Sequence, residues 1–233
     1  MYRFSTIILL LATLSTSAQI RVVKNPSVAQ QTHPEMQIEV ISFYNDSTIV
    51  EISVVNRIAQ GGWFCADKNT FIEDPHNFIR RKVINVEGIP WCPSAHRFSR
   101  VGEVLRFKLI FPGLPGNPET LNLIEVCDKS CFALRGIILN EKLNTDIRLF
   151  DEGMAHYSAN RFSEAIAIFA KVVEEIPSNP THVYGYSFYN LIRINWDLGN
   201  KETALVWLNQ LQKSGLPNSQ YFINNLKKEL SLE

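Results

Sequence analysis

Several signatures of catalysis are missing from this chain. It has no Gly-x-Ser-x-Gly elbow, the turn that presents a nucleophilic serine in α/β hydrolases. No glycine-rich phosphate-binding loop opens a helix, so nothing argues for a bound nucleotide. Gly61-Gly62 precedes an aromatic run and reads as a hairpin or bulge. Close carboxylate pairs are few. Glu73-Asp74 and Glu174-Glu175 are adjacent, and adjacent side chains diverge on strands and helices alike. A redox Cys-x-x-Cys motif is also lacking. Cys127 and Cys131 stand one residue too far apart, and Cys92 of "PWC" lacks the second cysteine of such a motif. Neither charge sign is in excess, with 23 basic and 23 acidic residues. That balance recommends neither nucleic acid nor an anionic membrane as partner. The one basic run, Arg80-Arg81-Lys82, reads as a solvated face. Past the N-terminus no stretch reaches the roughly 20 apolar residues of a membrane span. On this basis the chain is expected to be no enzyme and to carry no cofactor or metal.

The N-terminus, "MYRFSTIILLLATLSTSAQ", carries one basic residue, a short apolar run and small residues at Thr16-Ser17-Ala18. This is the layout of a secretory signal peptide over residues 1–18, with cleavage expected between Ala18 and Gln19. The mature chain is then about 215 residues and carries a net charge of −1. It is expected to be exported, periplasmic or secreted. No cysteine follows the cleavage site, which argues against a lipid anchor.

Export shapes the reading of the four cysteines, Cys65, Cys92, Cys127 and Cys131. Oxidising compartments favour disulfides, and four cysteines permit three pairings. A zinc site built from Cys92, His96, Cys127 and Cys131 is the metal alternative, but Pro93 denies it a helical turn to preset the ligands. The runs "LIEV" and "FALRGIIL" flank Asp128-Lys129-Ser130. A three-residue hairpin loop there places Cys127 opposite Cys131, within disulfide range. Cys65 and Cys92 then pair across a longer loop.

From residue 35 to 141 the pattern is that of strands. About seven runs, among them "MQIEVISFY", "STIVEISVVN", "NFIRRKVINV" and "EVLRFKLIF", alternate between turn signals such as Asn45-Asp46 and "PGLPGNP". Seven strands at this spacing predict an antiparallel β-sandwich of immunoglobulin-like architecture. Trp63 and Trp91 are expected as core or half-buried anchors. Residues 19–34 are polar, with Pro26 and Pro34, and read as a linker or lead-in strand.

Residues 145–233 switch to a period of 3.6, so the fold class is α+β with two domains. The segment "IRLFDEGMAHYSANRFSEAIAIFAKVVEEIPSNP" sets Gly153, Tyr157, Ala165, Phe169 and Pro177 in one register. It resembles a tetratricopeptide repeat, a helix-turn-helix unit of about 34 residues. Asn160-Arg161 is expected as its turn and Ser163 as the cap of its second helix. A looser unit aligns Leu191, Trp196, Gly199, Ala204, Leu208 and Leu211, but Ile192 replaces the small residue and "THVYG" is extra. Its first helix is therefore expected to be longer, or its helix pair splayed. "NSQYFINNLKKELSLE" reads as a solvating terminal helix.

The resemblance implies tetratricopeptide hairpins that bind a protein or peptide on the face lined by first helices. In this register that face holds Phe150, Met154, Tyr157 and Ser158, then Tyr189, Arg193, Trp196 and Asp197. Phe150 and Met154 stand where a carboxylate clamp of this family has Lys and Asn, so the groove is expected to be apolar and aromatic. The β-half, through "EGIPW" and "FKLIFPGLPGNPETLNLIEVCDKSCFALRGIIL", is similar to β-sandwich domains found N-terminally on some exported bacterial proteins. That likeness carries over no catalytic residue. The expected function is an exported protein–protein interaction or scaffold protein. The alternative is a redox or zinc-binding accessory of the cell envelope that uses the cysteines. Partner identity and oligomeric state are not legible in the sequence.

Overall fold

The computed structural model describes residues 19–128 and 130–232. The expected signal peptide lies outside the described residues. The described chain is twelve strands followed by five helices. The strands are β1 (Gln19–Lys24), β2 (Val28–Gln31), β3 (Met36–Tyr44), β4 (Ser47–Val55), β5 (Trp63–Phe64) and β6 (Phe71–Asp74). They continue with β7 (Ile79–Lys82), β8 (Asn85–Glu87), β9 (His96–Arg97), β10 (Val104–Pro112), β11 (Thr120–Ile124) and β12 (Ala133–Ile138). Two five-stranded antiparallel sheets form, ordered β1-β3-β4-β10-β8 and β2-β12-β11-β6-β7. A third, two-stranded ribbon pairs β5 with β9.

Alternation explains the sheets. In β10, Leu105, Phe107, Leu109 and Phe111 are buried while Arg106 is exposed and Lys108 half-buried. A period of two sends alternate side chains to opposite faces, so one face of β10 is apolar. It pairs with β4 in unbroken register from Val104 opposite Val55 to Pro112 opposite Ser47. Ile52 and Phe111 of the first sheet share one buried cluster with Ile72, Leu121, Leu123 and Leu134 of the second. The core therefore lies between the two large sheets.

Twelve strands replace the expected seven for local reasons. "NFIRRKVINV" is not one strand but two, β7 and β8, in different sheets. The handover falls at Val83-Ile84. The Val83 N–H donates to the Thr70 carbonyl near β6, and the Ile84 N–H to the Ile110 carbonyl of β10. Residues 19–34 are built into the sheets rather than tethering them. β1 pairs with β3 and β2 with β12, each at a sheet edge. Edge strands face solvent on one side, which accounts for their polar composition. Trp91 packs half-buried against the core, whereas Trp63 is 49% exposed and sits in the β5–β9 ribbon opposite Arg97.

The cysteines form Cys65–Cys92 and Cys127–Cys131 bonds, with Cα separations of 5.3 and 5.6 Å. Two disulfides favour an oxidising, extracytoplasmic environment. The second bond is not set in the three-residue hairpin read from the sequence. β11 ends at Ile124 and β12 begins at Ala133. The last rung beyond them is the Glu125 N–H to the Phe132 carbonyl at 2.9 Å. Both cysteines lie in the wider loop outside that rung.

The helices are α1 (Glu141–Ser158), α2 (Phe162–Glu174), α3 (His182–Asp197), α4 (Lys201–Lys213) and α5 (Ser219–Glu229). None is long and apolar enough to cross a membrane. α1 starts four residues before Thr145 because Asn140 caps it, its side chain accepting the Leu143 N–H at 3.1 Å. Asn144 is 1% exposed and clasps the two halves. Its Oδ1 accepts the Ser27 N–H and its Nδ2 donates to the Ile138 carbonyl, each at 2.8 Å. α3 is 16 residues against 18 for α1, so it is not the longer helix, and His182–Gly185 of "THVYG" form its first turn. Ser163 lies inside α2 and makes no capping bond. At Gly153 α1 and α2 approach closely, since a Cβ there would stand 2.7 Å from the Phe169 ring.

Candidate functional site

The eight residues assigned to a binding face fall into three separate settings. Phe150 and Met154 lie together on α1. The Phe150 ring lies 5.8 Å from Phe169 and 6.5 Å from Tyr186. Asn190 Nδ2 reaches Met154 Sδ at 3.6 Å and also donates to the Tyr186 carbonyl. Tyr157 packs on Phe162 at 5.8 Å, across the turn between α1 and α2. Ser158 is exposed beside it. Trp196 lies at the matching turn, with Lys201 Nζ 5.0 Å from its ring centroid. Tyr157 and Trp196 therefore brace helix turns.

Tyr189, Arg193 and Asp197 form a polar seam rather than an open groove. The Tyr189 hydroxyl donates to Glu229 Oε2 at 2.6 Å, and Arg193 bonds the same oxygen at 2.7 Å. Arg193 Nε also bonds Asp197 at 3.1 Å. Burial and then the Glu229 carboxylate push the Tyr189 hydroxyl pKa up. Glu229 ends α5, so this seam fastens α5 to α3.

Four residues outside the family register complete an aromatic row. Tyr186 meets Phe222 edge-on at 5.1 Å, Phe222 meets Tyr221 at 5.6 Å, and His182 meets Tyr186 at 6.1 Å. With Phe150, the row runs from α1 across α3 to α5. Tyr186 is 44% and Tyr221 61% exposed. Gly185 makes the row possible, because a Cβ there would stand 2.3 Å from the Phe222 ring. A cleft of about 450 Å³ opens along it, lined by Thr181, His182, Tyr186, Asn218 and Tyr221 among others. Thr181 Oγ1 is buried without a hydrogen-bond partner. Neither α3 nor α5 has an acidic first-turn residue or a side-chain cap. Two signals in the sequence point to the row: His182 and Tyr186 are spaced i, i+4, and Tyr221-Phe222 sets two aromatic residues side by side in the first turn of α5. The solvating-cap reading of α5 hid the second.

A larger cleft, about 610 Å³, lies at the end of the β-unit away from the helices. Both disulfides line it, with Trp63, His33 and the carboxyl groups of Glu35, Asp67, Glu125 and Asp128. Glu125 is buried and accepts the Asp67 N–H at 2.9 Å and the Phe132 N–H at 3.4 Å. Burial raises its pKa despite these bonds. All four cysteines are bonded, so the cleft offers no thiolate. Among the described residues no three His, Cys, Asp or Glu side chains converge as metal ligands. The buried Asp146 of α1 is likewise structural. It takes Lys142 Nζ at 2.8 Å and the Tyr184 hydroxyl, holding α1 against α3.

Comparison with family models, curated proteins and solved structures finds no match to this chain.

Proposed function

We propose that this chain is an exported, non-enzymatic interaction protein that holds an apolar segment of a partner protein against the aromatic row of its helical half. In this reading the β-unit is an immunoglobulin-like sandwich and the helices are a short tetratricopeptide array. The observation that carries it is the continuous row Phe150–Tyr186–Phe222–Tyr221 beside an open cleft. Exposed aromatic side chains contribute large contact area at low conformational cost. The close approach at Gly153 and the repeated helix pairs support the array. Of the competing readings, zinc binding needs thiolates, and both cysteine pairs are bonded; a redox role is disfavoured by the lack of a Cys-x-x-Cys pair.

The test is capture in the cell envelope. A photo-crosslinking residue at Tyr221 is expected to capture a discrete partner, and Tyr186→Ala is expected to abolish that capture while leaving helix content unchanged. Equal capture with and without the Tyr186 side chain would sink the assignment to this face.

A further inference from the structure

Sequence counting finds balanced charge, but the fold separates the signs at one end of the β-unit. Two loops meet there, over residues 56–63 and 96–103. The buried Asn56 locks them, donating Nδ2 to the Ile58 and Arg100 carbonyls at 3.0 and 2.8 Å and accepting the Ile58 N–H. The Phe98 N–H to Gly62 carbonyl bond, at 2.9 Å, joins them again. On this scaffold Arg57, Arg97 and Arg100 are exposed, and among the described residues none has an ion-pair partner. Between them stand Ile58, Trp63 and Val101, each about half exposed or more. Glu103, the carboxylate in these loops, is already engaged by Ser99 and His96.

Ile58 and Trp63 also line the 610 Å³ cleft, whose other lining residues include Glu35, Asp67 and Asp128. A basic patch and an acidic wall thus share an apolar border. A uniformly anionic partner, whether a membrane or an acidic peptide, would be drawn to the arginines and repelled by the carboxylates beside them. A surface carrying both signs avoids that conflict. A second copy of this chain supplies one by construction, because a two-fold axis sets each patch against its complement.

We propose that the chain forms a two-fold homodimer through this end of the β-unit. Arg57, Arg97 and Arg100 of each copy face Glu35, Asp67 and Asp128 of the other, with Ile58 and Trp63 near the axis. Desolvated aromatic residues at the centre and charge at the rim are the usual division of labour in an interface. β12 begins beside this cleft and ends at Ile138, where the helices attach. The dimer therefore leaves both aromatic rows free. It stands independently of what those rows bind.

The test is sedimentation velocity over a concentration series on the protein recovered from an exporting host with both disulfides formed. A dimer is expected whose dissociation constant rises with added sodium chloride, since exposed charges are screened. Arg57→Glu/Arg97→Glu/Arg100→Glu and Glu35→Lys/Asp128→Lys should each weaken self-association by more than about 100-fold, the cost of opposed like charges. Mixing the two variants should restore a heterodimer, which neither misfolding nor a structural role would produce. Asp67 is left intact because its Oδ1 accepts the Asn69 N–H. A monomer at every concentration, a dimer that survives both reversals, or a mixture that stays monomeric would overturn the proposal. So would a monomer that sediments with anionic lipid vesicles, which would assign the arginines to a membrane surface.

Discussion

Replacing Gly185 with alanine sets two effects against each other. Inside a helix, alanine is favoured over glycine by about 1 kcal/mol. Gly185 is buried in α3, and a Cβ there would stand 2.3 Å from Phe222 Cε2 and 2.8 Å from Cζ. Phe222 cannot swing aside freely, because Tyr186 holds its ring edge-on at 5.1 Å and Tyr221 at 5.6 Å. Overpacking of a filled site costs about 1–3 kcal/mol. The expected net effect of Gly185→Ala is a loss of up to about 2 kcal/mol. Phe222→Ala lacks all three ring atoms that crowd this position, Cδ2 at 3.0 Å included. In that background the clash goes and the helix preference remains, so Gly185→Ala should stabilise by up to about 1 kcal/mol. The change of sign is the diagnostic. Urea unfolding of the four proteins, followed by far-ultraviolet circular dichroism, measures it as a double-mutant cycle. A Gly185→Ala variant more stable than the parent in both backgrounds would refute the close docking of α5 on α3, and the aromatic row with it.

Two further outcomes follow from the β-unit. Cys65→Ser/Cys92→Ser opens a loop of sequence separation 27 and Cys127→Ser/Cys131→Ser one of 4. Chain entropy then gives losses of about 3.5 and about 2 kcal/mol, and denaturant midpoints that rank the other way would contradict it. Hydrogen bonds from the Ser99 hydroxyl and N–H, with His96 nearby, pull the Glu103 carboxyl pKa down to about 2 from an ordinary 4.5. A depressed carboxyl contributes stability that is present above its unfolded pKa and lost as pH falls through its folded pKa. Stability should therefore decline between pH 4.5 and 2, and Glu103→Gln should flatten part of that decline. An unchanged slope in denaturation curves taken across this window would remove Glu103 as a contributor.

The long elements were legible because their periods repeat. β10 alternates over its nine residues and β3 and β4 over part of theirs, and the helices carry a 3.6 period that a single sequence displays. Short elements were not. β5, β8 and β9 span two or three residues, too few to show any period, and their partners are distant in sequence. β1 and β2 were legible only as a linker or lead-in strand, for another reason. Edge strands need only one apolar face, and Val23 is the one buried residue of the pair. The candidate binding face was read through the register of the family the sequence resembles, which is a statement about one helix pair at a time. Phe150 and Met154 were reached that way, whereas Tyr186 and Phe222 depend on how α5 lies across α3.

Local sequence by itself determined where the chain alternates, where it turns helical, and that Cys127 and Cys131 lie close enough to bond. These depend on neighbours within a few residues, and the backbone's small set of allowed conformations converts them directly into structure. Only the tertiary structure decided that the segments carrying Arg57, Arg97 and Arg100 meet, that Glu35, Asp67 and Asp128 line a shared cleft, and that Trp63 lines it too while half exposed. Charge counted along the chain averages to nothing. The fold brings segments separated by tens of residues to one end of the β-unit, and the Coulomb energy of a group depends on its distance in space from the others, not on its place in the sequence.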